Sequence, residues 1–175
     1  MALPVPFLLR SWRQSDLTDL VRFANNPNIA RNLTNAFPHP YTEDAGKKFI
    51  EMAMTHDPIR ILAIEIDGVA SGGIGIHPQS DVYCKNAELG YWLAEPYWGK
   101  GIMTEAIREM VHRGFSNFDI TRIYARPYGS NIASQKALEK AGFVLEARIA
   151  DAFYKNGRYE DELIYGIRNN EANRQ

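Results

Sequence analysis

Apolar positions recur along the chain at two spacings, and the switches between them divide it into strands and helices. "PFLLRSW" is short and apolar enough for an edge strand. In "SDLTDLVRFANN", Leu17, Leu20, Val21 and Ala24 repeat at helical spacing behind Ser15, a residue type that caps helices. Prolines then break the pattern between Pro27 and Tyr41, so "NPNIARNLTNAFPHPYT" reads as an irregular loop or short helix of the kind that shapes binding sites. "TEDAGKKFIEMAMTHD" returns to helix. Thr42 is its cap, Glu43 and Asp44 suit the positive end of its dipole, and Phe49, Ile50 and Ala53 share a face.

"IRILAIEIDGVASGGIGIHP" predicts two strands joined at Asp67-Gly68, a strong hairpin signal, and "KNAELGYWLAEP" predicts a third. From Gly101 to Phe118 an apolar stripe of Met103, Ala106, Ile107, Met110, Val111, Gly114 and Phe118 predicts a helix with one face on a sheet. "TRIYARPY" follows as a strand, and "NIASQKALEKAG" as a helix stopped by Gly142. "FVLEARIADAFYKNGRYEDELIYGI" closes the chain as a hairpin around Asn156-Gly157. The first half is a meander of antiparallel neighbours. The strand-helix-strand-helix run of the second half needs crossover connections, so it implies a locally parallel pair and a mixed α/β sheet flanked by helices. With no repeat or linker in between, one domain is expected over 1–168, ahead of a frayed polar tail at 169–175.

Composition trims the possible functions. A chain of 175 residues that is 45% hydrophobic can bury a proper core. Lys and Arg number 20 against 21 acids, and a net charge of −1 gives no electrostatic case for nucleic acid or an anionic membrane as a partner. "MALPVPFLLR" has too little basic charge and too many prolines for a signal peptide, and no apolar run reaches the roughly 18 residues of a membrane span. Cys84 is the only cysteine, which excludes an internal disulfide or a cysteine-based zinc site and fits a cytoplasmic setting. His39, His56, His77 and His112 show no metal-ligand spacing, so no metal is expected.

The chemistry concentrates in "PYWGKGIMTEA". A strand that ends in Gly99-Lys100-Gly101 and turns at once into a helix aims free N–H groups and the positive end of the helix dipole at one place, where phosphate is the natural guest. The stretch lacks the third glycine of G-x-G-x-x-G and is not G-x-x-x-x-G-K-[ST], so dinucleotide redox chemistry and nucleotide hydrolysis lose support. Further on, Asn131 and Ser134 stand three apart at a helix start and share a face; as plain structure, Ser130 or Asn131 is a cap and Ser134 a small helix residue.

Together, "AELGYWLAEPYWGKGIMTEAI" and "NIASQKALEKAGFVLEA" resemble the GNAT superfamily of N-acetyltransferases, in particular the ribosomal-protein alanine and serine N-terminal acetyltransferases. The resemblance implies a single-domain GNAT-like fold, a mostly antiparallel mixed sheet of about seven strands with a splayed parallel pair in the middle. It implies that acetyl-CoA is the co-substrate, its pyrophosphate held by main-chain amides of Trp98, Gly99, Lys100, Gly101, Ile102 and Met103 and by the Thr104 hydroxyl. The family prefers Gln or Arg where Trp98 stands, and Gly or Ala where Met103 stands. Tyr91, Trp92 and Leu93 fall on the strand beside the pantetheine arm, with the Leu93 amide polarising the thioester carbonyl. Asn131 would hold the arm, Ser134 would protonate the departing thiolate, and Lys136 joins the cofactor contacts.

The resemblance also makes Glu88 the candidate base, although it could equally pair with a basic residue; Tyr128, Tyr154 and Tyr159 are further proton donors that no spacing singles out. Acceptor walls are expected from Asn32, Leu33, Phe37 and Tyr41 and from Phe153, Tyr154 and Asn156. No residue reads as a covalent nucleophile, since Cys84 lies in a polar connection, so direct attack by a primary amine is expected. A weakly equipped base suits a protein α-amine, with a pKa near 8, better than a lysine near 10.4. A small-molecule amine acceptor and a non-catalytic acyl-CoA-binding module are the alternatives, and the protein is expected to be a monomer or homodimer.

Overall fold

A computed structural model describes residues 5–169. The first residues of "MALPVPFLLR" and nearly all of the tail from 169 onward therefore lie outside the described residues. The strands are β1 (Leu8–Ser11), β2 (Ile61–Ile66), β3 (Val69–Pro78), β4 (Asn86–Leu93), β5 (Arg122–Ala125), β6 (Val144–Lys155) and β7 (Arg158–Arg168). The helices are α1 (Leu17–Ala24), α2 (Pro27–Ala30), α3 (Glu43–Met54), α4 (Ile102–Asn117) and α5 (Ile132–Lys140). The strands form one mixed sheet of seven in the order β1-β2-β3-β4-β5-β7-β6. By contact density the chain divides into a unit of 1–75 with 91–106 and a unit of 76–90 with 107–175; β3, β4 and α4 each contribute to both.

In the first unit, β1 and β2 pair antiparallel, as do β2 and β3, whose Asp67-Gly68 turn has φ of 50° and 79°. Those left-handed values are what a tight hairpin requires. Leu20, Ala24, Ile29, Tyr41, Ile50 and Trp92 belong to its core. A β-carbon at Gly46 would fall 2.8 Å from Leu17 Cδ1, so that glycine lets α3 approach α1. The Thr42 hydroxyl accepts from the Ala45 N–H at 3.2 Å, the expected cap.

Ser15 is not a cap. A 3₁₀ turn, Gln14–Asp16, precedes α1, and Ser15 is exposed within it. Asp16 does the local work: it accepts from the Arg13 N–H at 2.8 Å and from two Arg10 nitrogens at 2.8 Å, while Arg10 also reaches Glu65. A guanidinium delivered by β1 fixes this corner more strongly than a serine hydroxyl can.

In the second unit, β4 runs parallel to β5 through Asn86↔Arg122, Ala87↔Ile123 and Glu88↔Tyr124, and β5 and β6 pair antiparallel with β7. The expected strand over "TRIYARPY" is shorter than its apolar run, in keeping with the missing N–H of Pro127. β4 continues from Leu89 to Leu93 beyond the last parallel pair. The parallel ladder of β4 with β5 thus spans only the first three residues of β4. The closing hairpin turns at Asn156-Gly157 with φ of 55° and 78°.

Candidate functional site

A 3₁₀ turn, Glu95–Tyr97, leads from β4 into Trp98-Gly99-Lys100-Gly101, and α4 begins at Ile102. Gly99 and Gly101 have φ of 72° and 78°, and a β-carbon on either would meet nothing within 4 Å. The left-handed backbone, not a lack of room for a side chain, is thus what demands glycine, while the Trp98 N–H of the same turn donates to the Glu95 carbonyl at 3.1 Å. A bare turn at the positive end of a 16-residue helix fits a pyrophosphate. Lys100 is exposed, its ammonium 5.4 Å from the Tyr97 ring centre. Ile102 and Thr104 are buried and Met103 is half-buried in the first turn of α4.

The end of β4 is held from two directions. The Ala94 N–H donates to the Ser71 carbonyl at 2.7 Å, and the Trp98 indole N–H donates to the Leu93 carbonyl at 2.7 Å. Trp92 packs in the core, its ring 5.8 Å from that of Phe37, while Tyr91 is half-buried.

Asn131 is the cap of α5, accepting from the Ser134 N–H at 3.2 Å. Ser134 is half-buried and Lys136 exposed. Ser130 is occupied elsewhere, donating to the buried Glu160 at 3.0 Å. Burial is the largest influence on the Glu160 carboxyl and raises its pKa, but the bonds from Arg158 and Ser130 outweigh it and hold the pKa below the usual carboxylate range.

Glu88 makes a two-point ion pair with Arg126, at 2.9 Å to Nε and 3.1 Å to Nη2, and Arg126 reaches Glu162 at 3.4 Å. Glu88 also faces the Tyr124 hydroxyl, whose pKa is pushed up by burial and then by the Glu88 charge. The sequence reading missed Arg126 and Tyr124. The signal is the parallel register, which sets Glu88 opposite Tyr124, with Arg126 two residues further on.

The expected acceptor residues fall in both units, Asn32, Leu33, Phe37 and Tyr41 in the first and Phe153, Tyr154 and Asn156 in the second. Leu33, Phe37 and Tyr41 pack into the first unit's core, and burial pushes the Tyr41 hydroxyl up to about 12. Asn32 donates to the Asn28 carbonyl at 3.4 Å. In the second unit Phe153 stacks 4.4 Å from the buried Tyr128, Tyr154 meets Tyr159 at an exposed end of the hairpin, and Asn156 forms its turn. An open cavity of about 430 Å³ in the first unit is lined by Arg22, Phe23, Asn25, Asn26, Pro27, Glu95 and Pro96. Glu95 accepts there from Asn26 at 2.7 Å and Asn28 at 3.1 Å, a pairing across the fold that no local pattern announces. Cys84 is exposed. Among the described residues no group of three or more His, Cys, Asp or Glu could hold a metal ion, and no helix is long and apolar enough to cross a membrane.

A mixed sheet whose strand β4 leads through a glycine turn into a long helix matches the expected class of protein, and comparison with known proteins agrees. The acetyltransferase (GNAT) domain family matches residues 7–144, and the chain belongs to that family. It is 31% identical over 81 residues to the ribosomal-protein-serine acetyltransferase of Escherichia coli (strain K12), a stretch that is 46% of this chain and 45% of that one. It is 24% identical over 161 residues to the spermidine N(1)-acetyltransferase of the same organism, covering 89% and 82%. The chain spans about half the length of the curated relatives that exceed 30% identity. The solved structure of the microcin C7 self-immunity acetyltransferase MccE, in complex with acetyl-CoA and AMP, superposes with a TM-score of 0.79 at 25% identity, covering 93% of this chain and 92% of that one.

Proposed function

We propose that the chain transfers an acetyl group from acetyl-CoA to a primary amine by direct attack, and that its acceptor is the N-terminal α-amine of a protein. The observation that carries this reading is the left-handed Gly99/Gly101 turn at the positive end of α4, where the first N–H groups of a helix have no intrahelical acceptor. Acetyl-CoA supplies an acyl group already activated as a thioester. Amides of 99–103 and the Thr104 hydroxyl bind the pyrophosphate, the expected Trp98 amide being already engaged by the Glu95 carbonyl at 3.1 Å; Asn131 steadies the arm, Lys136 adds charge, and the Leu93 N–H donates to the acyl oxygen. The amine nitrogen forms the new C–N bond as the C–S bond breaks, and Ser134 gives its hydroxyl proton to the sulfur. The amine's own proton leaves to water, which returns a proton to the Ser134 oxygen, so that the hydroxyl is restored at the end of the step. Glu88 is paired with Arg126 and faces Tyr124, so in this reading it anchors β4 to β5 and water takes the part of the base first expected of Glu88.

Residues 1–168 act in this reading as one catalytic domain of a cytoplasmic monomer or homodimer that needs neither nucleic acid nor membrane. The ribosomal-protein-serine relative supports a protein terminus as acceptor. The longer match to the spermidine relative favours a second reading, in which the acceptor is a small amine.

Two measurements test this. Acetyl-CoA at about 100 times its Kd raises the thermal midpoint, the equivalent of about 2.7 kcal/mol; no rise overturns the reading of the glycine turn. A panel of N-terminal peptides and small amines, scored by release of free CoA, then separates the acceptors. Turnover confined to small amines sinks the protein-terminus reading, and binding without any turnover leaves a non-catalytic acyl-CoA-binding module.

A further inference from the structure

We infer that Trp98 is a positioning residue for the Leu93 amide, one that couples the glycine turn to the strand end that polarises the acyl group; this rests on the function proposed above. In extended backbone the N–H and C=O of one residue lie on the same side, and those of the next residue on the other. The Ala94 N–H is directed at β3, bonding Ser71 at 2.7 Å. Leu93 therefore directs both its N–H and its C=O away from β3, toward the edge on which the ladder with β5 ends at Glu88. Among the described residues, no pair of β4 with β5 reaches Leu93 to fix it on that side. The Trp98 indole does, by donating to its carbonyl at 2.7 Å.

Two consequences follow from that single bond. It occupies the strong acceptor on this edge, so that the N–H is the group Leu93 offers there. It also closes the segment from Leu93 to Trp98 into a ring, so the turn that meets the pyrophosphate and the amide that meets the acyl oxygen move as one body. Where the family prefers Gln or Arg for a side-chain contact with the cofactor, this chain has an indole that turns back on its own backbone. Trp98 is 42% exposed as a residue, so the indole is not a core side chain.

Trp98→Phe keeps an aromatic ring and removes the donor. Loss of one such bond predicts a kcat about five- to tenfold lower, with the Kd for CoA and the acceptor KM within about twofold of wild type. Amide exchange followed by NMR on the CoA-loaded protein gives a readout independent of turnover. The Leu93 N–H exchanges faster in Trp98→Phe, while the amides of Ile61–Ile66 are unchanged and show that the fold is intact. Equal exchange at Leu93 overturns the inference, and so does a weaker CoA complex with undiminished kcat, which makes Trp98 a ligand contact only. Wild-type protein that binds CoA but acetylates no amine defeats the proposed function instead, and the exchange comparison still decides the role of Trp98.

Discussion

A β-carbon at position 72 would stand 2.6 Å from the carbonyl oxygen of Trp92 and 3.2 Å from Leu93 Cα. Trp92 C=O and Leu93 N–H belong to one peptide group, so any side chain at 72 would press directly on the peptide that carries the proposed acyl-polarising donor. Backbone cannot yield as a side-chain tip can.

Gly72→Ala is accordingly expected to cost about 1–3 kcal/mol of stability and to lower kcat. The neighbour provides the control. At Gly73 a β-carbon would fall 2.9 Å from Trp92 Nε1, a side-chain atom, so Gly73→Ala should disturb kcat less. Urea denaturation and steady-state kinetics on both variants check this, and equal kinetics would detach the Leu93 peptide from catalysis.

Glu88→Gln should retain kcat within about threefold, because Arg126 and Tyr124 already engage the carboxylate. A loss of about a hundredfold or more would instead make Glu88 the base. The pH–rate profiles of the two proteins, measured on the same acceptor, tell these outcomes apart.

Asn131 combines a structural and a proposed functional role, and substitution can separate them. Asn131→Ala removes the cap of α5 and should cost about 1 kcal/mol, whereas Asn131→Ser keeps a capping oxygen and stability. Both should weaken CoA binding if the amide steadies the arm, which calorimetric titration measures. Ser134→Ala should lower kcat about tenfold or more with CoA affinity retained.

Acid should loosen the corner at Asp16. Burial is the largest influence on this carboxyl and raises its pKa, but the bonds from Arg10 and the Arg13 N–H outweigh it and leave the folded pKa below the ordinary value of about 3.9. A depressed folded pKa means stability that is full above the unfolded value and is lost as the pH falls through the folded one. Asp16→Asn should therefore be about 3 kcal/mol less stable at pH 7, with the gap closing below about pH 4, as denaturation at several pH values would reveal.

Local signals carried the fold a long way. Both glycine hairpin turns, the Thr42 cap, the helical stripe of α4 and the need for a parallel pair are short-range features, decided by backbone geometry and by periodicity within a few residues. The glycine turn was legible for the same reason, since a left-handed backbone before a helix leaves few alternatives to Gly99 and Gly101. Ser15 failed as a cap because its competitor, the Arg10–Asp16 pair, comes from strand β1 and is invisible to a local pattern.

The site divides along the same line. The sequence by itself determined the elements, the family and the residues of the turn and of the α5 start, because each lies in one contiguous stretch. Only the tertiary structure decided what their side chains do. Register brought Tyr124 and Arg126 to Glu88, Tyr41 entered the first unit's core with Leu33 and Phe37 packed against it, and the fold brought the Trp98 indole to the Leu93 carbonyl. Each of those outcomes depends on which unmet hydrogen-bonding group or apolar surface lies nearest in space, and that proximity is set by the assembled sheet, not by position along the chain.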